Sequence, residues 1–308
     1  MSTSRDLQIL LMWGLAMWFL SLLTGCVSFH RGPLPGEPTD ATYAQLDDAR
    51  LRYVDVGAGP PVVLLHGFAS SLDNWTDIIP RLEDNHRVLA MDLKGFGWSD
   101  RPSGDYSPLA QARHVRELMD ARGIERAAFV AHSWGASVAL AFALEYPERV
   151  SRLVIYSGWV YEEQLPSTFI WARASGLGEV LFGAFYRERP EDKLVLAFHD
   201  KRHITQDFVD HVERTLDRPG TTAAALAAVR GQRYIDSESR YKEMDKPTLL
   251  LWGREDAVAR LTAGERLVSE LPNAELVTFA RCGHFPMIEA FEASTHRLVE
   301  FLAREVEP

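Results

Sequence analysis

The chain has 308 residues, 46% of them hydrophobic and 25% charged, with a formal net charge of −10. That composition is globular rather than disordered, and the length suits one large α/β domain with an insertion. Binding nucleic acid requires clustered Lys and Arg to displace counterions from phosphate, and no basic run of that kind occurs, so no nucleic-acid partner is expected.

Arg5 precedes an almost unbroken apolar run from Leu7 to Leu23, which contains Trp13, Trp18 and Phe19 and is broken by Thr24-Gly25-Cys26. Residues 1–25 read as a targeting segment. The box Leu23-Thr24-Gly25-Cys26 resembles the cleavage box of bacterial lipoprotein signals. That resemblance implies a mature chain starting at an acylated Cys26 and tethered to a membrane of the cell envelope, since more than one acyl chain, at about 0.8 kcal/mol per buried methylene, makes attachment stable. Val27 stands where an aspartate would signal inner-membrane retention, which points to the outer membrane. The competing reading is an uncleaved N-terminal anchor, the run being at the short end of the roughly 17 to 25 residues that span a bilayer. Residues 26–48 read as a spacer, because His30 to Asp40 carries Pro33, Pro35, Pro38, Gly32 and Gly36, a composition that buries no core. Lipidation of Cys26 leaves Cys282 without a partner in the chain, so no disulfide is expected.

From residue 49 short apolar strands alternate with amphipathic helices, a pattern that predicts a mostly parallel sheet covered by helices on both faces. The expected strands are Leu51 to Val56, Pro61 to Leu65, Val88 to Asp92, Phe129 to Ala131, Leu153 to Tyr156, Thr248 to Trp252 and Glu275 to Phe279. Ser107-Pro108 opens a helix to about Gly123, with Ala112, Val115, Leu118 and Met119 on one face. The helix from Trp134 to Tyr146 keeps Ala136, Ala139 and Ala143 on one side, which allows close approach to a sheet, and Pro147 stops it. Residues 49–159 are thus the first part of the core and 246–308 the second. Between them, residues 160–245 lack the alternation and show helical patterns, such as Phe208 to Leu216 and Thr222 to Arg230, with aromatics including Phe169, Trp171, Phe182, Phe185 and Tyr186. This stretch reads as an inserted helical lid.

Ala131-His132-Ser133-Trp134-Gly135 joins an apolar strand to a helix, so Ser133 is held out on a tight turn with a helix N-terminus beside it. A serine hydroxyl needs a base to take its proton and a third group to orient that base. Asp256 follows the strand Leu249-Leu250-Leu251-Trp252, and His284 follows the last strand in Cys282-Gly283-His284-Phe285-Pro286. In a parallel sheet the loops after the strand ends share one edge, where such residues can meet. Glu255, Glu162 and Glu163 compete with Asp256 for the acid, and His296, within the last helix, competes with His284. His66, His132 and Asp92 read as structural. His199, His203, Asp207 and His211 recur every four residues, as metal ligands on one helix would, but Lys201-Arg202 and a helix start at Thr205 place a turn inside the series, so no metal site is expected.

The pentapeptide, with Ala131 in place of the first glycine, resembles the nucleophile elbow of the α/β-hydrolase superfamily. Its chain order Ser133, Asp256, His284 is the family's order, and Asp92 to Ser99 resembles the family's Asp-x-x-Gly-x-Gly-x-Ser loop. The likeness covers roughly residues 50 to 160 and 246 to 305. His66-Gly67-Phe68 resembles the family's His-Gly-x loop, which implies that the backbone N–H groups of Phe68 and Trp134 form an oxyanion hole. The resemblance implies a serine hydrolase without cofactor, in which Ser133, His284 and Asp256 cleave an ester or related acyl bond of a small molecule, and the aromatic lid points to an apolar or aromatic group on that substrate. Carbon–carbon bond hydrolases and perhydrolases with the same triad are the alternative, and a lipid-anchored binding protein without turnover is another. Epoxide hydrolases and haloalkane dehalogenases carry aspartate at the elbow, so Ser133 argues against both.

Overall fold

The computed structural model describes residues 27–304; the expected signal segment and Cys26 lie outside them. Its centre is a sheet of eight strands: β1 (Thr42–Gln45), β2 (Arg50–Val56), β3 (Pro61–Leu65), β4 (Arg87–Met91), β5 (Ala127–His132), β6 (Val150–Tyr156), β7 (Thr248–Gly253) and β8 (Ala274–Phe279). Their spatial order is β1-β2-β4-β3-β5-β6-β7-β8. β1 and β2 run antiparallel to their neighbours, and β3 to β8 are parallel. All the expected strands form, with ends shifted by a few residues.

Every residue of β5 is buried, as a central strand covered on both faces requires. Along β3 the side chains alternate between two cores. Val63 and Leu65 pack on one side with Leu118 and Ala139, and Val62 and Leu64 pack on the other with Trp75, Leu298 and Phe301. The helix Trp134–Glu145 buries Ala136, Ala139 and Ala143 against the sheet. Gly135 permits this approach, since a Cβ there would lie 2.5 Å from the His66 carbonyl oxygen and 2.6 Å from that of Leu65.

The structure corrects the reading of residues 26–48 as a free spacer. Thr42–Gln45 is an edge strand on β2, so the sheet starts before residue 49. Upstream of it, Leu34 is buried, the His30 N–H donates to the Arg101 carbonyl at 2.9 Å, and Phe29 stacks on Tyr106 with ring centroids 6.2 Å apart. The prolines and glycines fix turns on the core surface instead of extending the chain away from it.

Residues between β6 and β7 form the helices Ser167–Ala172, Leu177–Phe185, Pro190–Ala197, Gln206–Leu216, Thr221–Gly231 and Ile235–Glu238, with no strand among them. The expected lid is therefore present. Arg101 pins it to the core: this buried guanidinium donates to Thr221 Oγ1 at 3.1 Å and to the carbonyls of Ser99 and Gly97, each at 2.7 Å. Its burial, with Arg218 nearby, lowers its pKa to about 10. A turn at Lys201–His203 and the Thr205 cap on the helix Gln206–Leu216 break the histidine series, so its four-residue spacing does not run along one helix. No helix among the described residues is long and apolar enough to cross a membrane.

Candidate active site

Ser133 directly follows β5, and its backbone sits at φ 53 and ψ −122, a conformation that residues other than glycine rarely adopt. Its surroundings hold it there. The Ser133 N–H donates to the Tyr156 carbonyl, and the Ser133 carbonyl accepts from the N–H groups of Ala136 and Trp159, each at 3.0 Å. Ala131 fits the position of the first glycine because its methyl group is wholly buried inside β5.

The three side chains expected to meet do so. His284 Nε2 lies 2.9 Å from Ser133 Oγ, and His284 Nδ1 lies 2.9 Å from Asp256 Oδ2. Asp256 Oδ1 accepts from the backbone N–H groups of Val258 and Ala259, each at 2.8 Å. A carboxylate held this way keeps the proton on Nδ1 and leaves the Nε2 lone pair facing the serine hydroxyl. The backbone of His284 is itself fixed, its N–H donating to the carbonyl of Ala197 in the lid at 2.7 Å.

The competing residues are engaged elsewhere. Glu255 accepts from the Cys282 N–H at 2.9 Å, Glu162 pairs with Arg173, and Glu163 pairs with Arg266 at 3.2 Å. His296 is exposed on the helix Phe291–Leu302. His66 accepts the Leu93 N–H on Nε2 at 3.0 Å and sets Nδ1 2.7 Å from the Gly67 carbonyl. His132 Nε2 lies 2.9 Å from the His284 carbonyl. Burial, reinforced by the neighbouring His284 imidazole, pushes the pKa of His132 well below the ordinary value. Asp92 accepts the N–H groups of Leu72 and Trp98, each at 2.7 Å, and so fixes its loop.

Sequence reasoning missed Glu289. One of its oxygens accepts the Gly283 N–H at 2.8 Å, and the other accepts the N–H groups of His199 and Asp200 at 2.8 and 2.9 Å. It thereby ties the histidine loop to the lid. A lone glutamate on the short helix Pro286–Glu289 carries no local signal of that task.

Phe68 follows β3 and Trp134 opens the helix after the elbow, so their backbone N–H groups flank Ser133 from two elements. Among the described residues neither donates to another group of the chain. Ser133 and His284 open into a cavity of about 510 Å³ under the lid, with Phe68, Trp134, Trp159, Phe169, Leu216 and Phe285 on its walls. Phe285 stacks on Phe198 of the lid at 4.7 Å. This arrangement can deliver a nucleophilic oxygen to a carbonyl, move its proton and hold the resulting oxyanion away from bulk water.

The chain belongs to the α/β-hydrolase fold family, whose model matches residues 60–291. It is 33% identical over 272 residues to a 2-hydroxy-6-oxononadienedioate/2-hydroxy-6-oxononatrienedioate hydrolase of Paraburkholderia phymatum, with 83% of this chain and 92% of that protein covered. It is 30% identical over 263 residues to a 2-hydroxy-6-oxo-2,4-heptadienoate hydrolase of Pseudomonas putida, covering 82% and 92%. Among solved structures, a meta-cleavage product hydrolase from Pseudomonas fluorescens superposes with a TM-score of 0.70 at 30% identity, covering 82% of this chain and 94% of that one.

Proposed function

We propose that this chain hydrolyses the carbon–carbon bond beside the 6-oxo group of a 2-hydroxy-6-oxo-dienoate, with Ser133 as nucleophile, His284 as base and Asp256 orienting the imidazole. In the 2-oxo tautomer of such a substrate, Ser133 Oγ adds to C6 while His284 Nε2 takes the hydroxyl proton. The N–H groups of Phe68 and Trp134 receive the oxyanion, an effect worth roughly 3 to 4 kcal/mol per donor. Collapse breaks the C5–C6 bond, and the electron pair passes through the conjugated chain to the 2-oxygen. The proton held by His284 returns to that fragment. Water then adds to the acyl-serine, again losing its proton to His284, and a carboxylic acid leaves.

The observation that carries the reading is the Ser133–His284 contact of 2.9 Å at a pocket under the lid, in a chain whose relatives are named as dienoate hydrolases. The ester expected from the sequence has less support, because those relatives cleave carbon–carbon bonds. It stays as the second reading, since the same steps expel an alkoxide and the pocket wall is mostly apolar. The test is consumption of 2-hydroxy-6-oxo-2,4-heptadienoate with release of acetate, which Ser133→Ala should slow by several orders of magnitude. Turnover of aryl esters with the dienoate untouched would replace the first reading by the second.

We also propose, from the sequence alone, that Cys26 carries a lipid tether to the cell envelope. Mass spectrometry of the native N-terminus tests this, and an unmodified N-terminus upstream of Cys26 would reject it.

A further inference from the structure

The lid helix Leu177–Phe185 is apolar almost all round. Glu179 is the one charged residue of its nine, and its two carboxylate oxygens are taken up by Arg230, each at 2.8 Å. One side of the helix is packed: Gly178 and Phe182 are buried, Phe182 against Ala172 and Leu226. Leu177, Leu181 and Phe185 follow one another at four-residue spacing and so share a stripe turned away from that packing. Leu177 and Phe185 are exposed, Phe185 to 64%, and Trp171 on the neighbouring helix Ser167–Ala172 is exposed to 57%. A helix with no polar face is ordinarily covered, and a cluster of exposed apolar side chains marks a surface that meets protein or lipid. Of the eight large hydrophobic side chains exposed among the described residues, seven lie in the lid, and the eighth is Phe29.

The place where the chain enters the fold decides between those partners. Val27 packs on the cluster that holds Phe182 and Leu226, and Val27 and Phe29 share a groove with Glu179 of the same helix. The apolar run in the sequence ends at Leu23. Four residues span at most about 14 Å, little more than the width of one helix, which is about 10 Å. A membrane that holds the chain up to Leu23, or holds a lipid on Cys26, therefore stands within about one helix diameter of the lid.

Resting on the N-terminal attachment proposed above, we infer that the outer stripe of the helix Leu177–Phe185, with Trp171 beside it, seats in the lipid surface to which the N-terminus is attached. The tether brings the bilayer to the lid, and the apolar stripe then enters the boundary between headgroups and acyl chains, a depth of about 5–10 Å. The lid helices over the catalytic pocket face the membrane, and the sheet lies on their far side.

The experiment places the photoreactive residue p-benzoylphenylalanine at position 185, in place of Phe185, in the full chain with its native N-terminus, reconstituted into phosphatidylcholine vesicles. A control carries it at position 148, because Glu148 is exposed in the turn Pro147–Arg149 before β6, at the sheet edge opposite the catalytic loops. After vesicle flotation and illumination, mass spectrometry should find acyl-chain adducts at position 185 at least about tenfold above those at 148, as suits a face seated in lipid. Trp171→Glu together with Leu177→Glu should lower the adduct at 185 about fivefold or more at an unchanged melting temperature, because a charge resists transfer into lipid. A chain that floats with the vesicles but gives no lipid adduct at 185, equal adducts at 185 and 148, or a crosslink from 185 to a second copy keeps the tether and overturns the lid contact. An adduct undiminished by the two glutamates also overturns it. A chain that stays in solution overturns both.

Discussion

Asp256 has little freedom left: one oxygen faces His284 Nδ1 and the other accepts two backbone N–H groups. An asparagine there can keep the two backbone bonds but turns an NH₂ toward Nδ1. That makes Nδ1 an acceptor and moves the ring proton to Nε2, where it blocks the base. Asp256→Asn should therefore lower kcat about 10³- to 10⁴-fold with a melting temperature near that of the wild type; a loss under tenfold would show that orientation by Asp256 is dispensable. His66 and His132 are buried, and burial lowers both from an ordinary value of 6.5. The unfolded chain binds protons at these positions below about pH 6.5 while the folded chain does not, so stability is present above that value and declines as pH falls. The urea midpoint should drop between pH 7.5 and 5.5, and a flat or rising midpoint would contradict the assignment of both rings as neutral.

The elbow works as an element because β5, the turn and the following helix are packed to backbone contact. A methyl group on Gly135 would press on the carbonyls of Leu65 and His66, so Gly135→Ala should cost about 1–3 kcal/mol in urea unfolding; unchanged stability would mean the helix can shift without penalty. Ser133, Asp256 and His284 were legible in the sequence because each lies on the turn or loop that leaves an apolar strand, and a parallel sheet brings such positions to one edge. The strand Thr42–Gln45 was not, since a four-residue edge strand gives too short a pattern and depends on its ladder with β2. Glu289 was equally silent, because two of its three bonds reach residues about ninety positions away. Arg101 reads as an ordinary surface cation until the lid is folded over it.

Across the whole molecule, the strand order reverses at β3, with β4 on one side and β5 on the other. The loops after β3 and β5 therefore open a crevice at the sheet edge, and Phe68 and Ser133 stand in it. The lid closes that crevice, held by Arg101 to Thr221 at one point and by the Phe198–Phe285 stack at another. The helical insertion thereby shapes the pocket: it supplies much of the wall, while the loops at the sheet edge supply the chemistry. Everything proposed for the function depends on Ser133 being activated by His284. The most direct test is mass spectrometry of the chain after exposure to a fluorophosphonate. The account predicts one stoichiometric adduct, on Ser133, that is lost in His284→Ala while that variant stays folded. A folded wild-type chain left unlabelled, or labelled at another residue, would contradict it.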